Sequence, residues 1–490
     1  MKRILILLLL AVSGTSFGRE DKEKKALWTW MDTKKDEAVS CARNIWETPE
    51  LAEKEFKSSA RLASYLEENG FTITRGIADI PTAWVAEYRN GDGPVIGYLA
   101  EFDALPGLSQ AAAEPTRKVL VDGGPGHGCG HNLLGSASAF AAIGVKHAMT
   151  ENKISGTVRV FGCPAEETLV GKIYMTRAGV FKGVDAMLGW HPGGANAVTF
   201  QSSLALTSIK FKFFGRTAHG AGDPHHGRSA LDAVELTDIG VNFLREHVID
   251  KARIHYVITS GGGAPNVVPA VAEVWYYVRA PKTEEMRPIL ERVRDIARGA
   301  TLMTGTRVEE NLLTSGYEVL LNEPLALLLQ ENLEAVGPPA FDSSDYRFAR
   351  KLSESFEKEA TEKPDSIMPD STLLVTSIKE LKIVPPKEWQ WGMGSTDDGD
   401  VSWNVPYGRI TTACSVGGSP GHSWQVVAAA GSPVGFKGMV DAGKVLAGAG
   451  LDLLTKPKWI KEAQADFVKK LDGRTYKCGV PDSLRPPGSR

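Results

Sequence analysis

Cysteine is scarce, with five residues in a chain of 490. Cys41, Cys129, Cys163, Cys414 and Cys478 are too few for a disulfide framework, which needs more of them in a shorter chain. A Cys41–Cys478 bridge stays open for an exported protein. Cys163 and Cys414 lie in apolar runs, where a free thiol serves as a small buried hydrophobe. Long runs of like charge are also missing. The chain carries 56 basic and 59 acidic residues, a net charge of -3. That leaves no electrostatic footprint for nucleic acid and no charged binding tail. No internal repeat recurs at solenoid spacing. No segment after the N-terminus supplies the roughly 20 apolar residues that a membrane-spanning helix needs. What remains is ordinary globular material, 42% hydrophobic. Single cores rarely grow beyond about 250–300 residues, so two or three domains are expected.

The first 18 residues stand apart. Met1-Lys2-Arg3 is basic, Ile4 to Val12 is unbroken and apolar, and Ser13 to Gly18 is rich in small residues. This is the layout of a secretory signal peptide, and it predicts an exported, periplasmic or secreted protein that starts near Arg19.

Beyond it, residues 27–70 read as helical. Thr82–Tyr88 and Pro94–Leu99 flank Asn90-Gly91-Asp92-Gly93, a hairpin turn signal. A Gly-rich loop, Gly123 to Gly130, leads into a small-residue helix around Ser136–His147. Gly156–Gly162 and Met187–Trp190 read as buried strands. Strands that alternate with helices and end in polar residues predict an α/β sheet flanked by helices, with its site beyond the strands' carboxyl ends. Near residue 205 the pattern changes. Leu206–Phe214, Ile254–Thr259 and Val271–Val278 read as strands, and Ser229–Val248 and Arg287–Gly299 as helices. Together they predict a compact α+β insert. The expected division is a main domain from 19–205 and 318–490, interrupted by the insert at 206–317. The stretch 338–391, rich in charge and proline, reads as a further insertion or surface lobe.

Five short segments carry chemistry. In Gly126-His127-Gly128-Cys129-Gly130-His131-Asn132, a thiolate and an imidazole two residues apart can reach one metal ion if the glycines let the loop tighten. Cys163-Pro164-Ala165-Glu166-Glu167 places two adjacent carboxylates after a buried strand. Their repulsion is offset if a metal binds one and leaves the other as a base. Trp190-His191-Pro192 and Gly421-His422-Ser423-Trp424 each add a histidine. This mixture of sulfur, nitrogen and oxygen donors suits zinc or a similar divalent ion. Any one of these residues alone could be a satisfied core histidine, a solvated acidic turn or a plain thiol. The fifth segment, Gly215-Arg216-Thr217-Ala218-His219-Gly220, lies in the insert and is not joined to the cluster by position alone.

With these segments in order, the chain resembles the metal-dependent aminoacylase and carboxypeptidase superfamily, in its amidohydrolase branch. The match is carried by Glu101-Phe102-Asp103-Ala104-Leu105-Pro106, Gly128-Cys129-Gly130-His131, Pro164-Ala165-Glu166-Glu167, Trp190-His191-Pro192 and Gly215-Arg216-Thr217-Ala218-His219. Gly394-Ser395-Thr396-Asp397 and His422-Ser423-Trp424-Gln425 resemble the aminobenzoyl-glutamate utilization protein B group within that branch.

The resemblance implies two divalent ions, zinc or manganese, with Cys129, His131, Glu167, His191 and His422 as ligands and Cys129 bridging. It implies Glu166 as general base, and Asp103 as the group that orients a ligand histidine. Asn266 and Arg279 would hold the substrate carboxylate. His219 would reach across a dimer of inserts to stabilise the tetrahedral intermediate. Where the wider superfamily has a metal-binding histidine, this chain has Glu101, and where the branch has an aspartate, it has Asn132. The implied activity is hydrolysis of the amide bond of an N-acyl or N-aroyl amino acid, such as aminobenzoyl-glutamate, in a homodimer or a related hetero-oligomer. A dipeptidase or aminoacylase of the same fold is the first alternative. A non-catalytic binding domain and a redox protein using Cys129 as a thiol are the others.

Overall fold

The computed structural model describes residues 5–356, 370–385, 388 and 390–487, with the backbone alone for residues 5–21. The side chains of the expected leader, residues 1–18, therefore lie outside the described residues, while a helix backbone runs Leu5–Glu47.

A seven-stranded mixed sheet forms the larger body. Its strands are β1 (Thr72–Arg75), β2 (Trp84–Asn90), β3 (Val95–Glu101), β4 (Gly156–Cys163), β5 (Ala186–Gly193), β6 (Ala197–Val198) and β11 (Tyr407–Ala413). They lie in the order β1-β2-β4-β3-β5-β11-β6. The central neighbours β4, β3, β5 and β11 run parallel, and the outer strands are antiparallel. Parallel strands buried on both faces need helices on both sides, and the side chains alternate accordingly. Val158, Val160, Leu188 and Trp190 enter the main core, with the helices His131–Asn152 and Pro433–Thr455. Phe161 and Met187 face the other way, against the helix Gly171–Arg177. Because β3, β4, β5 and β11 share one direction, the residues just past their carboxyl ends meet at one edge of the sheet.

The helix His131–Asn152 sits unusually close to that sheet. A Cβ on Gly135 would lie 2.5 Å from the Glu101 carbonyl oxygen and 2.7 Å from Leu62. Small residues make this approach possible.

Two expectations are corrected here, and one open possibility is closed. The chain does not form a hairpin across Asn90-Gly91-Asp92-Gly93. Gly91 turns it with φ 77°, but β2 and β3 do not pair, because β4 lies between them. The turn is a local choice, whereas pairing is decided by which strands can bury both faces. The helical stretch 27–70 breaks at 48–55, and a separate helix starts at Phe56. No Cys41–Cys478 bridge exists. Cys41 is buried in the main core, Cys478 packs against the other face, and all five cysteines are free.

A second sheet is wholly antiparallel: β7 (Ala205–Phe214), β8 (Arg253–Ser260), β9 (Val271–Ala280) and β10 (Arg307–Gly316), in the order β10-β7-β9-β8. The helices Ala230–Leu244 and Thr283–Thr304 cover one face through Ile209, Phe211, Phe213, Val274 and Tyr276. Ser229 starts the first helix by accepting the Asp232 N–H at 3.1 Å. Strand β8 is an edge, and its Tyr256, Val257 and Ile258 are exposed.

In the described part of 338–391, Ala349, Leu352, Leu373 and Leu374 bury against Val416 and Val434. Backbone bridges join Ile378 to Asn196 and Trp391 to Ser202. Among the described residues, no helix is long and apolar enough to cross a membrane.

Candidate active site

The loop before the helix His131–Asn152 makes its last turn at Gly130, where φ is 77°. That left-handed residue lets Cys129 and His131 face one point. Asp103, just past β3, receives the His131 Nδ1–H at 2.7 Å. The carboxylate can only accept, so the bond assigns the ring proton to Nδ1 and turns Nε2 toward the cavity. The other Asp103 oxygen accepts the Glu167 N–H at 2.9 Å, so one carboxylate fixes both the imidazole and the acidic pair. Ala165, directly before that pair, has φ 57°, and His422 has φ 51°. Left-handed backbone at residues with a Cβ is strained, and here it sits at the site.

The donor atoms converge. Cys129 Sγ lies 3.3 Å from His191 Nε2. His422 Nε2 lies 3.7 Å from Glu167 Oε2, and His131 Nε2 lies 3.2 Å from Glu101 Oε2 and 3.9 Å from Glu166 Oε2. Cys129, His131 and His191 can share one ion, Cys129, Glu167 and His422 a second, and Cys129 belongs to both groups.

His131 Nε2 and Glu167 Oε1 are buried without a hydrogen-bond partner among the described residues. Buried polar atoms are almost always paired, so two orphans, one in each of these donor groups, fit bound cations. Electrostatics agree. Burial pushes the Cys129 thiol up to about 12, His191 down to about 3 and Glu167 up to about 7. Burial, then the nearby Glu101 carboxylate, raises Glu166 well above the usual range. Burial disfavours the charge on His131, but Cys129 and Asp103 outweigh it and raise its pKa. Such a cluster calls for positive charge, which divalent ions supply.

Glu101, Cys129, Glu166, Glu167, His191 and His422 line a cavity of about 590 Å³. Arg279 and Tyr277 enter it from β9 of the second sheet. The structure thus brings together Asp103, Cys129, His131, Glu166, Glu167, His191, His422 and Arg279. It does not bring His219 or Asn266 to the cavity within one chain. Both are exposed, on neighbouring loops joined by the Gly220 N–H to Asn266 carbonyl bond at 2.7 Å. The His219 Nδ1 accepts the Gly222 N–H at 2.9 Å, which fixes the ring.

The peptidase dimerisation domain matches residues 204–302. Over 463 residues the chain is 39% identical to one of the subunits of p-aminobenzoyl-glutamate hydrolase from Escherichia coli, covering 91% of this chain and 95% of that one. It belongs to the M20 peptidase family. The human Xaa-Arg dipeptidase is 29% identical over 486 residues, covering 95% of this chain and 97% of the relative. The M20 fold is also seen in a Bacillus subtilis protein described as a dinuclear metal-binding peptidase, with TM-score 0.56, 18% identity and coverage of 88% and 99%. An aminobenzoyl-glutamate utilization protein from Klebsiella pneumoniae gives TM-score 0.58 at 17% identity, with coverage of 86% and 97%. As an M20 member, the chain is a hydrolase.

In this M20 site a buried layer lies behind the donors, and the motifs do not announce it. Lys172 is fully buried, with Nζ 2.6 Å from Glu101 Oε1, 2.5 Å from Asp397 Oδ1 and 3.3 Å from Asp398 Oδ1. The Tyr407 hydroxyl donates to Asp398 Oδ2 at 2.5 Å. Arg409 Nη1 lies 3.4 Å from the same oxygen. Glu101 thus stands between this layer and His131. Asp397 belongs to a motif, but Lys172, Tyr407 and Arg409 sit in ordinary helix and strand sequence with no local signal. His127 and Asn132, within the Gly-rich motif, are structural. His127 Nε2 meets the Ile45 carbonyl at 3.2 Å, and Asn132 donates to the Ala42 and Ala430 carbonyls.

Proposed function

We propose that this protein hydrolyses the amide bond of N-acyl or N-aroyl amino acids, with p-aminobenzoyl-glutamate as the leading substrate. One observation carries the reading: the orphaned His131 Nε2 and Glu167 Oε1 converge on Cys129 in a cavity that Arg279 also enters. Two divalent ions, zinc or manganese, held by Cys129, His131, Glu167, His191 and His422, would supply Lewis acidity and lower the pKa of water from about 15.7 towards 7.

The chain's own residues supply the rest. Glu166 takes the proton of the attacking water and later gives it to the leaving amine nitrogen. Burial supports this, because a carboxyl with a raised pKa can carry that proton between the two steps. Asp103 holds the His131 ring and the Glu167 backbone in place. Arg279 and Asn266 hold the free carboxylate of the amino acid, which restricts cleavage to the amide next to it. His219 and Asn266 come from a second copy, in a homodimer or a related hetero-oligomer. The exposed edge strand β8 and the dimerisation-domain match support that assembly. The same reading divides the chain into a main domain at 19–205 and 318–490 and an insert at 206–317.

The test is a panel of p-aminobenzoyl-amino acids, other acyl-amino acids and dipeptides, assayed on metal-stripped protein reloaded with zinc or manganese. We expect release of p-aminobenzoate. Cleavage of none of these amides with either metal overturns the proposal. Export is a separate part of the reading, supported by the order of the first 18 residues. N-terminal sequencing of protein from its native host should start near Arg19, and an intact Met1 refutes it.

A further inference from the structure

Two guanidinium groups enter one cavity, and one suffices to hold a single carboxylate. Arg279 comes from the second sheet. Its Nη1 donates to Ser395 Oγ at 3.3 Å, and its buried Nε has no hydrogen-bond partner among the described residues. Arg409 comes from the first sheet and lines the same cavity. The β11/β5 register sets Thr411 beside His191 and Arg409 beside Gly189. Side chains two residues apart on a strand share a face, so Arg409 stands on the face of a proposed ligand, one step back along the strand.

A guanidinium offers five N–H donors. Among the described residues the Arg409 side chain uses one, the long 3.4 Å bond from Nη1 to Asp398 Oδ2. Asp398 has other partners, the Tyr407 hydroxyl at 2.5 Å and the Lys172 ammonium at 3.3 Å. The contact therefore aims the guanidinium and leaves most of its fork open to the cavity. Ser395 and Asp398, the two anchors, are three positions apart in the chain. Their Cα atoms lie no more than about 11 Å from each other. Two cationic forks held by one short loop suit a ligand that carries two carboxylates a few bonds apart.

We infer that Arg409 determines specificity by binding a second, side-chain carboxylate, so that the substrates are amides of dicarboxylic amino acids such as glutamate and aspartate. This rests on the amide-hydrolase reading above, in which Arg279 holds the α-carboxylate. A substrate with a neutral side chain would leave the Arg409 fork desolvated and unanswered. Sites built to bind a polar group reject the analogue that lacks it for this reason.

The experiment compares p-aminobenzoyl-glutamate with its isosteric glutamine analogue. In kcat/KM the wild type should favour the glutamate amide by about 100-fold. Arg409→Gln should lower the rate on the glutamate amide by a similar factor and fall far less on the glutamine amide. Arg409→Lys, which keeps the charge, should recover part of the preference. Equal use of the two amides by the wild type overturns the inference without recourse to any variant. Parallel losses on both amides in a folded Arg409→Gln protein overturn it too, since a merely structural arginine would give that pattern. If the wild type cleaves acyl-amino acids but neither of these two, the amide-hydrolase reading stands and this inference fails. If it cleaves no amide at all, both fail.

Discussion

His131 and His219 are both candidate site histidines, and the chain treats them in opposite ways. His131 is fully buried, begins a buried helix and has one ring nitrogen pinned by Asp103. His219 is exposed on a loop past β7, and its ring Nδ1 accepts the N–H groups of Ala221 and Gly222 in its own turn. The main sheet brings its candidate donors together within one chain, with strand ends and a helix start converging on Cys129. The second sheet presents His219 and Asn266 outward and leaves the hydrophobic edge of β8 uncovered. What separates them is the source of order. The His131 ring is held by a buried carboxylate from another element, whereas the His219 ring is held by N–H groups of its own exposed turn.

That contrast can be broken or sharpened by experiment. Stripping divalent ions should remove turnover down to background, with recovery on adding zinc or manganese, read by metal analysis beside the amide assay. Activity that persists in metal-free protein would sink the donor assignment. Next in size is Glu166→Gln. It should slow hydrolysis by about 10²–10⁴-fold while metal content stays near wild type. Loss of metal instead would make Glu166 a ligand.

His219→Ala should cost roughly 2.7–4 kcal/mol of transition-state stabilisation, with metal retained. Mixing this variant with Glu166→Gln should restore some turnover, because one site of a mixed dimer keeps both residues. If labelling shows subunit exchange and no activity returns, His219 does not act in trans. The smallest expected effect belongs to Asp103→Asn. It removes the charge and leaves one acceptor oxygen where two now hold the His131 ring and the Glu167 N–H, and it should weaken metal binding about 10–100-fold, read by titration with a competing chelator.

Much of this site is legible in the chain alone. Cys129, His131, Glu166, Glu167, His191 and His422 sit at strand ends or in glycine-rich turns, and short motifs preserve such local geometry. The parallel core of the main sheet is legible for a similar reason, since strands buried on both faces are nearly all apolar. The hairpin expectation fails because turn chemistry is written locally, while β4 enters between β2 and β3 from about 60 residues away in the chain. Lys172 and Arg409 escape for a related cause. A lysine in a helix and an arginine in a strand are ordinary in sequence. They gain meaning only when Glu101, Asp397 and Asp398 are folded against them.

Gly135 shows how far the tolerance of such a site extends from its chemistry. It bears no side chain and faces no solvent, yet the Glu101 carbonyl would sit 2.5 Å from any Cβ added there. The gap between helix and strand acts as a gauge block, setting the spacing of His131 on one and Glu101 on the other. Adding a single methyl at this position would wedge the two apart together. Inheritance would record the change as lost catalysis, although no reacting group had been altered.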